Sequence, residues 1–216
     1  MGYTNFSELN ETIDEGEGFI QGNKLTVQVD FKLLNIVGLK KFRRMDFTDP
    51  SGPTNDVSLV IEGEKVYVNK GHLSVHSPVF CSMFYGDFVE RSQNEIELKD
   101  VDRKEFIEML HVIYPPSKKI TEANLGYLLK LGDRFEVEVV VDQIEKFLIK
   151  STKFSLAAKL VIADQYRLFG LQGHCLDRLT SVRKVTDLSN SEESNNFSSH
   201  LKSVLFDKIV ELNKFE

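Results

Sequence analysis

Residues 57–84 constrain the fold most, because the hydrophobic period changes within them. Two short alternating segments, VSLVIE at 57–62 and KVYVN at 65–69, are joined by a Glu-Gly-Glu turn and predict a β-hairpin. From residue 70 the apolar spacing changes toward the 3.6 residues of an α-helical turn. A third short strand, EIEL, is predicted at 95–98. The pattern predicts an α+β domain in which helices cover a small sheet.

Two local signals fix where helices begin. Ser77 before Pro78 predicts a helix with the serine as N-cap and the proline at the first helical position. Asp102 with Glu105 resembles a capping box that opens a second helix. This helix must end before Pro115, because the proline pair there cannot continue it.

The second half of the chain is predicted to be helical. Apolar residues at i, i+3, i+4 and i+7 spacing predict helices near 121–132, 136–150, 155–164, 168–180 and 201–212. The intervening segment SNSEESNNFSS at 189–199 is polar and predicts a mobile loop.

The N-terminal block carries a strand of a different kind. Residues 24–34, KLTVQVDFKLL, alternate apolar and polar side chains and predict a half-buried antiparallel strand. Few other strands can be drawn before residue 45, so this block looks too small to close a sandwich alone. Residues 46–55 follow as a linker, in which Pro50 and Pro53 exclude a stable helix.

Composition and charge argue against several functions. A net charge of −6 argues against a nucleic-acid-binding protein. No apolar run is long enough for a membrane span and no secretory signal is evident, so a cytoplasmic or nuclear location is expected. Cys81 and Cys175 lie too far apart to suggest a disulfide scaffold or a zinc site, and no metal or cofactor is expected.

From residue 56 onward the chain carries a signature made of Asp56, Lys70, Leu73, Ser77, Pro78, Phe80, Met83 and Phe84. This signature resembles the core of a BTB (POZ) domain. Lys70 and Ser77 are interpreted as cap and turn residues, and the apolar members as the helical side of the core. The segments EIEL, VDRKEFIEMLHVIY and LLKLGDRFEVEVVVDQIEKFL follow in the order and spacing of that family. The block EGEGFIQGNKLTVQVDFKL resembles the closing strands of a MATH (TRAF-like) domain.

The resemblance implies an architecture of four parts. The expected order is a C-terminal fragment of a MATH-like domain, a linker, a BTB/POZ domain and a helical BACK-like or 3-box extension, at 1–45, 46–55, 56–152 and 153–216. The BTB/POZ fold is a small β-sheet flanked by helices, and the first part would be a β fragment of a TRAF-like sandwich. The chain thus resembles a MATH–BTB protein with a truncated MATH domain.

The resemblance also implies a partner. Cullin-binding BTB domains carry an apolar-x-Glu motif shortly after the Met-Phe pair, and Phe88, Val89 and Glu90 match it here. Phe88 would fill an apolar pocket on cullin-3, and Glu90 would fix the loop or bind the partner; alternatively, Phe88 packs into the BTB core. The implied function is a substrate-specific adapter of a cullin-3 type E3 ubiquitin ligase. The substrate protein is unknown, and neither nucleic acid nor a membrane is an expected partner.

Two departures and several alternatives accompany this hypothesis. Asn69 replaces the histidine that usually precedes Lys70, which is interpreted as a surface change. Residues 46–56 cannot form the long first helix that builds many BTB homodimers, so a dimer is in doubt or must use another surface. A homo- or hetero-oligomer with other BTB proteins stays among the expected partners. The alternatives are a truncated regulatory protein that pairs with related adapters, a BTB transcription regulator, and a thiol enzyme. Cys81 is predicted to lie within a core helix as a small apolar residue, which disfavours the enzyme.

Overall fold

The chain divides into two compact units, residues 1–41 and 42–216. The computed structural model describes residues 20–21, 24–25, 44–52, 55–86 and 94–214. In the first unit, β1 (Ile20–Gln21) and β2 (Lys24–Leu25) pair antiparallel. The rest of the strand predicted at 24–34 lies outside the described residues.

The second unit is built on a three-stranded sheet within its described residues. β3 (Val57–Ile61) lies at the centre, antiparallel to β4 (Glu64–Val68) and parallel to β5 (Glu95–Glu97). The predicted hairpin is confirmed, and its two turn residues have φ angles of 54° and 78°. These positive angles fit a tight turn whose twist matches the flanking strands.

Helices surround this sheet and continue to the C-terminal end of the described chain. They are α1 (Lys70–His76), α2 (Pro78–Tyr85), α3 (Arg103–Ile113), α4 (Glu122–Arg134), α5 (Glu138–Lys150), α6 (Leu156–Gln165), α7 (Phe169–Asp177), α8 (Val182–Ser189) and α9 (Ser199–Asn213). The mixed α+β class is therefore confirmed. α8 was not predicted as a helix.

The helix starts follow the predicted caps. Ser77 accepts the backbone N–H of Phe80, and Pro78 occupies the first position of α2. Asp102 accepts the N–H of Glu105 at 2.9 Å and begins α3. Among the described residues, the Glu105 side chain makes no reciprocal bond, so this is one half of a capping box.

The segment expected to be a linker has an anchor in the core. Phe47 is 1% exposed, and its carbonyl oxygen accepts the N–H of Tyr67 on β4 at 2.8 Å. The Phe47 ring packs against His111 and Tyr114, with ring centroids 5.2 and 5.0 Å away. Residues 44–52 form no helix, in agreement with the sequence, and the expected weakening of a dimer stays a prediction.

The prediction of a mobile polar loop at 189–199 was wrong. A 3-10 helix covers Glu192–Asn196, and Phe197 behind it is 6% exposed. The Glu193 carboxylate accepts the hydroxyl of Ser155 at 2.7 Å, and Ser198 caps α9 through the N–H of Leu201. Burial of a single aromatic ring and these hydrogen bonds order a segment whose composition is almost wholly polar.

Candidate functional site

The predicted cullin-binding residues Phe88, Val89 and Glu90 lie outside the described residues, but both flanks of their segment are described. α2 ends at Tyr85 on one side. On the other side, the carbonyl oxygen of Asn94 accepts the backbone N–H of Ser58 at 3.0 Å. The described chain therefore stops just after α2 and resumes beside the central strand.

The apolar signature residues other than Pro78 lie on the buried side of α1 and α2. Leu73, Phe80 and Phe84 are at most 1% exposed, Met83 is partly buried, and Pro78 is exposed. The Phe80 ring stacks on Phe84, with ring centroids 5.8 Å apart, and on Phe135 at the end of α4, at 4.9 Å. This packing fixes the orientation of α2, and with it the direction of its exposed face.

Ser77 links α2 to the same aromatic core. It is 1% exposed, and besides accepting the Phe80 N–H it donates its hydroxyl to the carbonyl oxygen of Phe135. Both hydrogen-bonding roles of the hydroxyl are therefore used. A buried hydroxyl satisfied in this way belongs to the fold rather than to a reactive site.

Asp56, Asn69 and Lys70 form the start of α1. The Asp56 carboxylate accepts the N–H of Lys70 at 2.7 Å, and the Asn69 side chain accepts the N–H of His72 at 2.7 Å. Two of the free amides at the helix N-terminus are thus satisfied. Asn69 is the N-cap rather than a plain surface substitution, which corrects the prediction. The cap function assigned to Lys70 rests on its backbone rather than on its side chain.

A groove of about 720 Å³ lies beside α2 and is called the α2 groove here. Its lining residues come from α1 and α2, from the α4–α5 corner and from the α6–α7 corner. They are Ser74, Val75, His76, Pro78, Cys81, Gly132, Asp133, Glu136, Glu138, Val141, Tyr166 and Arg167. Val75 is 81% exposed and presents apolar surface to the groove.

Acidic side chains dominate the rim of the α2 groove. Asp133, Glu136 and Glu138 supply carboxylates, whereas Arg167 supplies a guanidinium that pairs with Asp133 at 3.2 Å. Both members of this pair are largely solvated, so the pair adds little stability. The remaining carboxylates give the groove a negative potential that suits a basic partner surface.

Two corners of the α2 groove have the same strained geometry. Glu136 and Arg167 adopt φ angles of 48° and 54°, in the left-handed region that glycine prefers. The next residue in each corner donates its N–H five residues back, Val137 to Gly132 and Leu168 to Ala163, both at 2.8 Å. This is the Schellman helix end, which usually carries glycine at the strained position. Charged residues held there fit a binding surface, where such strain is often found.

The exposed face of α2 joins the groove to the predicted motif. Cys81 lines the groove, and Tyr85 lies one turn further along the same face and is 54% exposed. The undescribed segment containing Phe88 begins two residues after Tyr85. The groove, the exposed face of α2 and the motif segment therefore follow one another along the chain.

The cysteines differ from the expectation in one respect. Cys81 is exposed on α2, so its interpretation as a small core residue was wrong, because its side chain lies one position past the buried Phe80. In the described part of the chain no hydrogen bond joins its thiol to His76, which also lines the groove. Cys175 is buried, and burial raises the pKa of its thiol, which disfavours the thiolate form.

In the residues that the structure describes, no group of three or more His, Cys, Asp or Glu side chains could hold a metal ion. No helix among them has the length and hydropathy to cross a membrane.

Sequence reasoning missed the α2 groove because its walls come from α1, α2, the α4–α5 corner and the α6–α7 corner, which lie far apart in the sequence. Arg167 lies between two predicted helices and Glu136 is the first residue of one, so both positions were visible in the sequence. Helices often end with a glycine, and both corners have a charged residue at that position instead. This substitution is a sequence signal that could have pointed to the two corners.

Comparison with known proteins gives the class of this chain. The family profile of the BTB/POZ domain matches residues 50–152. The chain therefore contains a BTB/POZ domain, and the BTB/POZ fold is confirmed.

Among curated proteins the similarity extends beyond that domain. The chain is 38% identical over 194 residues to BTB and MATH domain-containing protein 38 of Caenorhabditis elegans, covering 90% of this chain and 50% of the relative. It is 36% identical over 208 residues to BTB and MATH domain-containing protein 36 of the same organism, covering 96% and 65%. The particular relatives are thus BTB and MATH domain-containing proteins, and the chain spans one half to two thirds of their lengths.

Proposed function

We propose that this chain is an adapter that binds the N-terminal region of a cullin-3 type scaffold and links a second protein to the ubiquitin ligase. The observation that carries the proposal is the continuity between the α2 groove, the exposed face of α2 and the segment that contains Phe88, Val89 and Glu90. A partner helix resting in the groove would also contact the exposed face of α2, which precedes that segment in the sequence.

Phe88 is proposed as the anchor of this contact. Large aromatic side chains dominate interface energetics, because they bury much apolar area at a small cost in conformational entropy. Glu90 would fix the loop or accept a hydrogen bond from the cullin. Ser58 and Phe84 support the proposal, since they hold the two flanks of the segment to the sheet and the core.

The groove adds chemistry that the motif alone does not provide. Val75 and Tyr85 offer exposed apolar surface, and Glu136 and Glu138 offer carboxylates beside it. The proposed partner surface is therefore a helix with apolar residues flanked by lysine or arginine. Its association with the groove should weaken as salt is added, because exposed charges are screened.

The helices beyond residue 152 take part in the same proposal. Tyr166 and Arg167 follow α6 and line the groove, so the C-terminal part of the chain supplies one wall. We assign residues 153–216 to the BACK-like or 3-box extension of the adapter. We assign residues 1–45 to the MATH-like part, by similarity to relatives whose names include that domain.

The test is a calorimetric titration of the N-terminal region of cullin-3 into the full chain. Phe88→Ala should weaken binding by about 2 kcal/mol or more, which is roughly 30-fold. Phe206→Ala is the matched control, because Phe206 is 63% exposed on α9 and shares no lining position with the groove. Unchanged affinity with an unchanged circular dichroism spectrum would refute the anchor. Loss of folding would instead assign Phe88 to the core.

A further inference from the structure

A second cleft, of about 510 Å³, lies in the C-terminal part of the chain. Its walls are the segment after α5, the start of α6, the end of α7 and helix α8. It shares no lining residue with the α2 groove. We call it the basic cleft, because Lys159, Arg178 and Lys184 line it.

Lys159 is a buried cation at the base of this cleft. It is 5% exposed, and its ammonium group donates to the carbonyl oxygen of Ser151 at 2.6 Å. That carbonyl belongs to the residue that ends α5, where the helix dipole favours a positive charge. No described carboxylate lies within ion-pair distance of the ammonium group. The carbonyl orients the charge but does not neutralise it.

Arg178 and Lys184 lie at the mouth of the cleft. The Arg178 guanidinium forms no hydrogen bond or ion pair with any described residue. The Lys184 ammonium donates to the hydroxyl of Thr180 at 3.0 Å and to the carbonyl oxygen of Arg178 at 3.4 Å, which holds it over the turn between α7 and α8. Asp187 also lines the cleft, but among described residues it pairs with neither cation.

Apart from Ser151 and Thr152, the rest of the lining is apolar. Phe154, Leu156, Leu179 and Leu188 complete the walls between the cations. A compact inorganic anion would satisfy the cations and leave these apolar walls in water. A peptide in which carboxylates alternate with apolar side chains would satisfy both, because pockets combine apolar contact with a few placed charges.

We propose that the basic cleft binds an acidic, partly apolar segment of a partner protein. Three cations and one carboxylate line the cleft, whereas the whole chain has a net charge of −6. The cleft is therefore a positively charged site on an acidic protein, and it attracts negative charge. The buried ammonium of Lys159 would meet the deepest carboxylate of the segment. The Arg178 guanidinium would form a bidentate ion pair with a second carboxylate of the segment.

The test uses fluorescence anisotropy with the full chain and a short labelled peptide in which glutamate alternates with leucine. The matched peptide has glutamine in place of each glutamate. The glutamate peptide should bind more tightly, and its affinity should fall as salt is raised. The double variant Arg178→Glu with Lys184→Glu should weaken its binding by about tenfold or more, since each reversal replaces attraction with repulsion.

The control is the double variant Lys130→Glu with Lys202→Glu, which changes the net charge equally. Both lysines are exposed, on α4 and α9, and neither lines the cleft. Equal binding of the two peptides, or equal losses in the two double variants, would overturn the proposal. So would loss of self-association in the Arg178 and Lys184 variant, measured by sedimentation without peptide, because the occupant would then be a second copy of this chain.

Discussion

Replacing Glu145 with alanine should destabilise the start of α7. The Glu145 carboxylate on α5 accepts the backbone N–H of Leu171 at 2.8 Å, whereas Leu168, which precedes α7, has no side-chain acceptor. Glu145 thus acts as an N-cap supplied by a neighbouring helix. Loss of a cap costs about 1–2 kcal/mol. For a chain of this length, that lowers Tm by about 2–8 °C.

Gly170 lies against the same Glu145 carboxylate and provides a second substitution that perturbs it. A methyl group added at Gly170 would lie 2.9 Å from Oε2 of Glu145, so Gly170→Ala must displace the carboxylate from the N–H of Leu171. In the otherwise unchanged chain, Gly170→Ala should therefore lower stability. In the Glu145→Ala background the carboxylate is gone, and alanine should raise stability by about 0.5–1 kcal/mol through its helix propensity.

The assay is denaturant unfolding of the four chains of this double-mutant cycle, followed by circular dichroism. Asp207→Ala is the control, because it removes the same charge from an exposed position on α9 that makes no hydrogen bond or ion pair with a described residue. An effect of Gly170→Ala with the same sign and size in both backgrounds would refute the reasoning. The two sites would then be uncoupled.

Three other predictions concern the core, the histidines and the groove. Phe47→Ala should cost about 3–5 kcal/mol in denaturant unfolding, because the ring is fully buried; a loss under 1 kcal/mol, on the order of a surface substitution, would contradict its place in the core. Burial lowers the pKa of His72 and of His111, so the unfolded chain takes up protons first and stability should fall as pH drops below about 6.5. Unfolding midpoints at pH 7.5 and 5.5 check this, and His72→Phe should reduce the difference between them. Glu136→Gly and Arg167→Gly should each raise stability by about 1 kcal/mol while weakening cullin binding, and lower stability would exclude strain at these corners.

Local features of the fold could be predicted from the sequence. The hairpin at 57–68, the caps at Ser77 and Asp102 and most of the helices follow from signals within a few residues of each other. α8 was missed because it is short and polar. The exposure of Cys81 could have been predicted from the helical period. Cys81 lies one turn before the exposed Tyr85 and on a different face of α2 from the buried Phe80.

Long-range features could not be predicted in this way. Phe47 is a single aromatic residue in a segment of turn-forming residues, and its burial depends on His111 and Tyr114 far along the chain. The contact of Glu145 with α7 and the meeting of two corners at the α2 groove depend on helix packing, which periodicity does not specify. The motif at Phe88 was predicted from family resemblance, and it remains a prediction.

Hydrogen–deuterium exchange of the chain with and without the N-terminal region of cullin-3 tests the central claim most directly. The proposed contact predicts slower amide exchange in three places on binding: residues 78–93, the α4–α5 corner near Glu136 and the α6–α7 corner near Arg167. Exchange in α9 should not change. Protection confined to α9, or no protection at a concentration that saturates binding, would contradict the assignment of the α2 groove and the Phe88 motif as the cullin-binding surface.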